Sequence, residues 1–508
     1  MRTGANRLSA ATIAGLPASI RRPGYDRSAL KAGIMHIGVG AFHRCHQAEY
    51  TDDALEASFG AWGIVGVNLR PPAISVLLDE QDGYYCRELR NNGTVERRLI
   101  GSVIETISVL DVAYDEHRLT LQRALARAAS ADIRVISLTV TEKGYCHVPA
   151  TGELNENHPD IRHDIADPAR PLSAPGFVLQ VLALRFGKGL VAPLIISCDN
   201  VPDNAGTLRR AVLGLARMID PRLVSRIENE VRFLNTMVDR IVPATRADYL
   251  DAFEAETGLR DYGLVAGEPF RMWVIETGEG AELPAWDVAG ALFVRDVLPY
   301  EILKMRVVNG IQSNVCQLGL LSGLEFMSDV ISEDVFSGFA RQTISKEVIP
   351  NLPHVRGIEV GDYLDQTIGR LKNADLKHGT LQISTDGSQK IRQRLLEPMR
   401  AGLKAGTPVG GLLLGVAGWM KYASGRDWQG RALDVRDPFS AETIAIGNAS
   451  CNDADGMTER FLDIEAIFGR DIKADSEIKH RLSAYLAALG EKSAIEVIAD
   501  HLAGRFDG

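Results

Sequence analysis

Long apolar segments, runs of basic residues and closely spaced cysteines are all missing from this sequence of 508 residues. No segment reaches the ~18 apolar residues that a membrane-spanning helix needs. The N-terminal region has early positive charge but lacks the continuous apolar stretch of a secretion signal. The net charge of −10 leaves no basic surface for nucleic acid or anionic lipid. We therefore expect a cytoplasmic protein whose partners are small molecules.

The distribution of cysteine and histidine gives no metal site. The six cysteines are far apart and form no CxxC pair, which is typical of reduced, structural thiols. His36, His43 and His46 are close in sequence, but no other donors stand at ligand spacing around them. We expect no bound metal.

The length of the chain predicts two or three domains, because one hydrophobic core does not serve 508 residues. Strand and helix patterns alternate up to about residue 298, and the pattern is almost entirely helical after it. We predict an α/β, Rossmann-like dinucleotide-binding domain with inserted strands at residues 1–297. A mainly helical domain carrying substrate-binding and catalytic residues is predicted at residues 298–508.

A short apolar strand runs into a glycine turn at residues 34–44, with the sequence IMHIGVGAFHR. A strand, a GxG turn and a helix N-terminus together form a cradle for phosphate, since glycine lets the backbone approach the anion. The third glycine of the GxGxxG pattern is missing, so the motif alone fits a plain tight turn equally well. The residues predicted to bind a dinucleotide here are Gly38, Gly40, Ala41, Phe42 and Arg44.

The second predicted strand, at residues 62–69, ends at Arg70 without the acid that usually binds the ribose hydroxyls of NAD. Arg70 therefore either faces a 2′-phosphate or points to solvent. The sequence predicts NAD and leaves NADP open.

Further strands and helices alternate in a way that predicts a largely parallel sheet with helices on both faces. Residues 84–88 and 95–104 flank Asn91-Asn92-Gly93, a good hairpin turn. Buried-type strands at residues 134–140 and 193–198 are followed by Glu142 and by Asp199-Asn200. Ligands bind beyond the carboxyl ends of such strands, so these side chains are candidates for the site.

The segment at residues 300–313, YEILKMRVVNGIQS, is predicted to be helical and to carry the chemistry. On one continuous helix Lys304 and Asn309 stand about 140° apart, and Gln312 returns toward the face of the lysine. Burial disfavours the ammonium form, so a lysine buried on such a helix can act as a base for an alcohol. An ordinary helix lysine that reaches solvent is the simpler alternative. The neighbouring domain boundary predicts an active site in the cleft between the domains.

Six segments in combination resemble the polyol-specific long-chain dehydrogenase/reductase family, which includes mannitol 2-dehydrogenase and fructuronate (mannonate) reductase. The resemblance runs from about residue 16 to near the C-terminus. It is carried by HIGVGAFHR at 36–44, LTVTEKGYC at 138–146, SCDNVPDN at 197–204, NTMVDRIVP at 235–243, YEILKMRVVNG at 300–310 and DGSQKIRQRLL at 386–396.

The resemblance implies metal-independent oxidation of a secondary alcohol with NAD(P), or reduction of the matching ketose or keto-sugar acid. It implies that Lys304 is the general base and that Asn200 and Asn309 donate hydrogen bonds to the reacting oxygen. Asp239 would orient Lys304 and influence its pKa.

By the same resemblance, Glu301 and Glu142 belong to a proton or water path behind the lysine. Lys390 lies near the substrate, and the glycine turn holds the dinucleotide. Many relatives are monomers, so we expect a monomer or a weak homo-oligomer.

The chain departs from the family pattern at two positions. Gln312 stands where the family has a substrate-contacting histidine, and glutamine can donate a hydrogen bond but cannot exchange a proton. Gly379 stands in a segment where sugar-acid reductases often have an arginine. We therefore predict a polyol substrate of the mannitol type, with a hexuronate as the alternative. A non-catalytic dinucleotide or sugar sensor is the remote alternative.

Overall fold

The computed structural model describes residues 6–70, 73–109, 116–148, 151–278 and 280–506. The chain forms two compact units, Met1–Leu298 (unit 1) and Pro299–Gly508 (unit 2). Unit 1 mixes strands and helices, and unit 2 is helical.

The strands of unit 1 are β1 (Ala32–Ile37), β2 (Gly63–Asn68), β3 (Tyr85–Asn91), β4 (Thr94–Ile100), β5 (Val103–Ser108), β6 (Val135–Leu138), β7 (Leu194–Ser197), β8 (Phe233–Leu234), β9 (Thr236–Asp239), β10 (Val265–Gly267), β11 (Met272–Glu276) and β12 (Leu292–Val294). Its helices are α1 (Ala41–Cys45), α2 (Gln47–Ala57), α3 (Ala73–Asp79), α4 (His117–Ala128), α5 (Pro159–Ala166), α6 (Ala174–Gly187), α7 (Asn204–Ile219), α8 (Arg222–Glu230) and α9 (Ala247–Thr257).

Six strands form a sheet in the order β5-β2-β1-β6-β7-β8, and every neighbouring pair is parallel. This order makes the chain reverse direction across the sheet between β1 and β6. It is the Rossmann order, in which ligands bind at the carboxyl ends of the two central strands. The predicted Rossmann-like, parallel α/β fold is confirmed.

The central strands are buried throughout and mostly apolar, because helices cover both faces of the sheet. Successive side chains of a strand point to opposite faces, so each strand supplies two separate cores. One core contains Met35, Val65, Ile136 and Ile195, and the other contains Ile34, Ile64, Val135 and Ile196.

The predicted hairpin turn at Asn92 and Gly93 is confirmed, and both residues have positive φ, as a tight hairpin turn requires. The strand predicted at residues 95–104 is wrong in one respect. It is divided at Gly101 and Ser102 into β4, which belongs to a three-stranded sheet β10-β3-β4, and β5, which belongs to the main sheet.

Buried ion pairs attach this hairpin to helix α2. Arg98 lies 2.6 Å from the Asp52 carboxylate, and Arg87 lies 2.7 Å from the Glu49 carboxylate. Arg240 contacts Glu49 from the other side. Buried charges of this kind are tolerated only in pairs, so the hairpin and α2 are fixed against each other.

The helices of unit 2 are α10 (Leu298–Arg306), α11 (Val308–Leu321), α12 (Met327–Ser332), α13 (Asp334–Thr343), α14 (Val360–Leu371), α15 (Thr380–Ser384), α16 (Gly387–Ile391), α17 (Glu397–Ala405), α18 (Gly410–Ala423), α19 (Ser440–Ala449), α20 (Ala454–Leu462), α21 (Glu465–Ala474), α22 (Ser476–Glu491) and α23 (Ala494–Leu502). A π-helical turn at Arg392–Leu396 joins α16 to α17. The prediction of a mainly helical C-terminal region is confirmed.

Glycines on α18 let this helix pack closely against α11. A Cβ atom at Gly415 would lie 1.8 Å from Asn314 Oδ1, and one at Gly418 would lie 2.6 Å from Leu318 Cδ2. The backbones therefore approach more closely than side chains would allow, and α18 fixes the position of α11.

The helix predicted around Lys304 is confirmed, with a local irregularity at Val307, which lies between α10 and α11. Val307 keeps right-handed helical backbone angles, with φ −90° and ψ −68°. Its amide donates to the carbonyl oxygen of Leu303, and its carbonyl oxygen accepts the amide of Ile311, each at 2.9 Å, so the helical hydrogen bonds continue through it. Lys304 lies on α10 and Asn309 on α11, and the angle of about 140° expected for one continuous helix describes this pair approximately.

None of the helices in the described part of the chain combines the length and the apolar character needed to cross a bilayer.

The backbones of two central strands approach closely at Gly38, which follows β1 and has a φ of +96°. A Cβ atom there would lie 2.0 Å from the carbonyl oxygen of Thr139, which follows β6. Only glycine fits, both because of its φ and because of the space available.

We expect Gly38→Ala to lower the melting temperature by several degrees more than Gly93→Ala. Gly93 has a φ of +85° but nothing within 4 Å of where a Cβ atom would stand, so alanine there adds only backbone strain of about 1 kcal/mol. At Gly38 the clash adds to the strain, for a total of about 3 kcal/mol or more. Thermal unfolding followed by circular dichroism measures both variants. Equal shifts would show that the carbonyl of Thr139 moves away without cost.

Candidate functional site

A cavity of about 180 Å³ opens in unit 1 at the carboxyl ends of β1, β2 and β6. Its lining is mostly apolar and includes Ile37, Gly38, Leu69, Val140, Gly144, Leu172 and Ala174. The cavity lies where the strand order of the sheet reverses, which is the usual ligand position in this class of fold.

The glycine turn borders this cavity. Gly38 lines it, and Gly40 stands at the N-cap of α1, with no atom nearer than 3.9 Å to a Cβ built on it. Ala41 is the first residue of α1, and the Phe42 ring stacks on His46 at 4.9 Å between centroids. The turn therefore leaves backbone exposed beside Gly40, where a ligand can approach closely.

Arg44 does not present its charge at this turn, contrary to the sequence-based expectation. Its side chain is buried, and its guanidinium donates to the carbonyl oxygens of Val39, at 2.8 Å, and Gly263, at 3.2 Å. The sequence showed a cation beside a GxG turn, but the long-range contact with Gly263 turns this cation inward. Arg44 stabilises the turn from behind.

The histidines near the turn are structural. His36 lies 2.8 Å from both Ser137 Oγ and Thr139 Oγ1, and Thr139 Oγ1 donates to the carbonyl oxygen of Gly38. The His43 ring stacks on His36 at 3.5 Å between centroids. Burial lowers the pKa of His36 to about 3, so this imidazole is neutral near pH 7. The network fixes β1 to β6 at the turn.

Arg70 and Asp160 are the charged residues that line the cavity within the described residues, and they form an ion pair. The Arg70 side chain is 72% exposed, whereas that of Asp160 is 19% exposed. Sequence reasoning included Arg70 but missed Asp160. The reason is that Asp160 lies on α5, about 90 residues further along the chain, and no local pattern links the two.

Cys146, His158 and Asp160 have potential ligand atoms within 4.8 Å of one another. Two of these donors are already engaged. His158 Nδ1 accepts the amide of Asp160 at 3.2 Å, and the Asp160 carboxylate is paired with Arg70. We therefore interpret the group as fixing the start of α5 beside the cavity.

Asp199 joins the carboxyl ends of β6 and β7. Its carboxylate accepts the amides of Val140 and Thr141 and the hydroxyl of Tyr145, each at 2.9 Å. Thr141 has a φ of +63°, which is strained for a β-branched residue and is held by this contact. Burial raises the pKa of Asp199 to about 6.

Three predicted site residues of unit 1 stand at strand ends. Glu142 follows the strained Thr141 and is half-buried, and Asn200 follows Asp199 and is exposed. Asp239 is buried at the end of β9, where it is paired with Met272 of β11.

The predicted residues of unit 2 lie on two consecutive helices. Lys304 is buried on α10, and Glu301 is half-buried one turn before it. Asn309 and Gln312 are buried on α11, three residues apart and therefore on neighbouring positions of one face. The Oδ1 atom of Asn309 has no hydrogen-bond partner among the described residues, so the side chain has an unused polar atom in a buried position.

A group of basic residues lies near α11 in the same unit. Lys390 Nζ donates to the carbonyl oxygens of Ile383 and Thr385, and Arg394 donates to Ser313 Oγ at 3.2 Å. Arg394 belongs to the π-helical turn. Burial, together with the charge of Lys390, lowers the pKa of His378 to about 4, so His378 is neutral near pH 7. Sequence reasoning assigned no role to Arg394 or His378.

Two family models match the chain and cover most of it. Residues 32–288 match the mannitol dehydrogenase Rossmann domain, and residues 296–490 match the mannitol dehydrogenase C-terminal domain.

Similar proteins align over almost the whole length. A D-mannonate oxidoreductase from Escherichia coli is 40% identical, and the match covers 96% of this chain and 99% of that protein. A mannitol 2-dehydrogenase from Phaeosphaeria nodorum is 33% identical, with coverage of 94% and 83%. The solved ternary complex of Pseudomonas fluorescens mannitol 2-dehydrogenase with NAD and D-mannitol is 30% identical. It has a TM-score of 0.88 and coverage of 98% and 99%.

We expect Asp199→Asn to change how stability depends on pH. Asp199 has a pKa of about 6 when folded, against 3.8 for the ordinary group, so the folded protein binds this proton more tightly. Its contribution to the free energy of unfolding is therefore largest at acid pH and is lost as the pH rises through 6, by about 2 kcal/mol between pH 4.5 and 7.5.

Thermal unfolding of wild type and variant at the two pH values measures this contribution. The stability difference, wild type minus Asp199→Asn, should shrink by that amount as the pH rises. Asp220→Asn is the control, because contacts with Arg222 lower the pKa of the partly exposed Asp220, which therefore stays ionised above pH 4.5. An unchanged difference for Asp199→Asn would mean that this carboxyl has an ordinary pKa.

Proposed function

This chain belongs to the mannitol dehydrogenase family, and we propose that it is an NAD(H)-dependent oxidoreductase that interconverts an open-chain polyol and its ketose. The observation that carries the proposal is full-length similarity to a mannitol 2-dehydrogenase that was solved with NAD and D-mannitol bound. The cavity at the switch point of the parallel sheet supports it independently.

The residues of unit 1 fit a dinucleotide. Gly40 leaves open backbone at the turn, and the cavity beside it has an apolar lining suited to a flat aromatic base, with one ion pair among its lining residues. The nicotinamide coenzyme, when bound, takes up or delivers the hydride. The chain itself holds the coenzyme, orients the alcohol and moves the hydroxyl proton.

We assign the proton transfer to Lys304 and the stabilisation of the reacting oxygen to Asn200 and Asn309. A buried amine that becomes neutral accepts the alcohol proton, and amide donors favour the negative charge that develops on the oxygen. The unused Oδ1 atom of buried Asn309 supports a ligand hydroxyl that donates to it, because a native protein rarely leaves such an acceptor unsatisfied, and the proposed donation to the reacting oxygen comes from Nδ2.

The remaining predicted residues support this group. Asp239, buried at its strand end, is proposed to orient the lysine, and Glu142 and Glu301 to conduct the proton away. Gln312 and Lys390 are proposed to contact the hydroxyls of the substrate. Gln312 donates a hydrogen bond without exchanging a proton, so in this scheme Lys304 alone takes the proton directly from the substrate hydroxyl.

A hexuronate is the second candidate substrate, and two observations favour it. Identity is higher to the D-mannonate oxidoreductase, at 40%, than to the mannitol 2-dehydrogenase from Phaeosphaeria nodorum, at 33%. Lys390 and Arg394 also lie within one turn of each other, on α16 and the π-helical turn that follows it. Such a pair of cations can bind a carboxylate, the role for which the sequence offered no arginine near Gly379.

We expect Lys304→Ala to reduce kcat by at least 10³-fold while the dissociation constant of NADH stays within about threefold, because the base is lost and the coenzyme site is not. Rates with fructose, fructuronate, tagaturonate and ribulose, each with NADH and NADPH, identify the substrate in the same assay. Lys421→Ala is the control, since Lys421 is a half-buried lysine of unit 2, whereas Lys304 is buried.

A wild-type rate in Lys304→Ala would remove the lysine from the mechanism.

The double variant Asn200→Ala/Lys304→Ala should lose a smaller factor in kcat than the product of the factors lost by the two single variants. The effects of residues that act on one reacting group are not additive. Binding of NADH by the wild type without turnover of any ketose would support the sensor instead. Gln312→His tests whether the family histidine raises the rate.

We expect Gly40→Ala to weaken NADH binding at least tenfold without changing the melting temperature. Its φ of −78° is open to alanine, and a Cβ atom would lie 3.9 Å from the nearest atom, so the fold tolerates the change. The added methyl would occupy the space where a coenzyme approaches the backbone. Fluorescence titration with NADH measures binding, and unchanged affinity would place the coenzyme away from this turn.

A further inference from the structure

The cavity of unit 1 lacks an acid where the second strand ends. β2 ends at Asn68, which is followed by Leu69 and Arg70, whereas NAD-binding folds usually have a carboxylate there for the ribose hydroxyls. Asn68 does not replace it, because its Oδ1 atom accepts the amide of Val39 at 2.9 Å. β2 therefore supplies no carboxylate at the position that distinguishes NAD from NADP.

Asp160 supplies a carboxylate to the same cavity from another element. It lies in the first turn of α5 and lines the cavity together with Asn68, Leu69 and Arg70. The N-cap residue His158 accepts the amide of Asp160 at 3.2 Å and fixes the backbone at this point. The carboxylate is therefore positioned by the start of a helix and held by its ion pair with Arg70.

The two partners of this ion pair differ in how much of each side chain is exposed to solvent. Both residues line the cavity, but the Asp160 side chain is only 19% exposed, whereas the Arg70 side chain is 72% exposed to solvent. Cys146 lies in the same wall, and burial together with the charge of Asp160 raises the pKa of its thiol to about 12. The charge of the acid therefore acts on groups that line this wall of the cavity.

We propose that Asp160 recognises the 2′-hydroxyl of the adenosine ribose and that the Arg70–Asp160 pair sets the preference for NAD(H) over NADP(H). A carboxylate accepts hydrogen bonds from a ribose hydroxyl and repels a 2′-phosphate. Arg70 neutralises part of that charge, so the rejection of the phosphate is incomplete. The inference rests on the proposed function only in assuming that unit 1 binds a dinucleotide.

The test uses ADP-ribose and 2′-phospho-ADP-ribose, which carry the adenosine end of each coenzyme and no nicotinamide. Isothermal titration calorimetry on the full chain gives both dissociation constants and their ratio, independently of any turnover. We expect the wild type to prefer ADP-ribose. Asp160→Asn should reduce that preference at least tenfold, because the repulsion is removed while Arg70 remains.

Further variants separate charge from shape. Asp160→Glu should keep the preference, and Arg70→Gln should increase it, because the carboxylate is then no longer neutralised. Arg170→Gln is the matched control, since Arg170 is an exposed arginine paired with Asp167 just beyond the same helix, and its ratio should equal that of the wild type.

Three results would overturn the assignment. They are an Asp160→Asn ratio equal to that of Arg170→Gln, a wild type without preference, and an Arg70→Gln variant that shifts toward the phosphorylated ligand. Failure of the wild type to bind either ligand would overturn this inference together with the coenzyme part of the proposed function. Binding with an unchanged Asp160→Asn ratio would overturn this inference alone.

Discussion

The close approach of the Gly38 backbone to the carbonyl of Thr139 determines where the cavity of unit 1 lies. β1 and β6 are neighbours where the strand order of the sheet reverses, and just beyond them the chains are too close for any side chain on Gly38. The hydrogen bonds of His36, Ser137 and Thr139 hold the two ends together. The cavity opens directly beyond this contact and is lined by Gly38, so its position depends on the glycine and on a network of neutral polar groups.

Patterns that repeat over a few residues allowed most of the fold to be predicted. The buried strands β1, β2, β6 and β7 and the helical character of unit 2 follow from apolar runs and helical spacing, and both are confirmed. The local irregularity at Val307 was not predictable in the same way, because no proline or glycine stands there and the sequence on both sides has good helical spacing.

Residues of the candidate site were predictable only where their position follows from neighbouring residues in the sequence. Gly38 and the residues at the ends of β6 and β7 could be named from strand-turn patterns alone. Arg44 and Asp160 could not be placed, because their environments come from Gly263 and Arg70, far away in the chain. In unit 2 the resemblance supplied Lys304 and Asn309, whereas the close packing of α11 on the glycines of α18 required the structure.

Along the chain, the β3–β4 hairpin looks like an insertion, because it lies between β2 and β5, two neighbouring strands of the main sheet. Its contacts show otherwise. β10 lies on its edge, and Arg87 and Arg98 neutralise the carboxylates of Glu49 and Asp52 on α2. A shortened chain without the hairpin would leave two acids without these counter-charges and β10 without its neighbour. The segment is therefore not a removable module, because α2 and β10 both depend on its contacts.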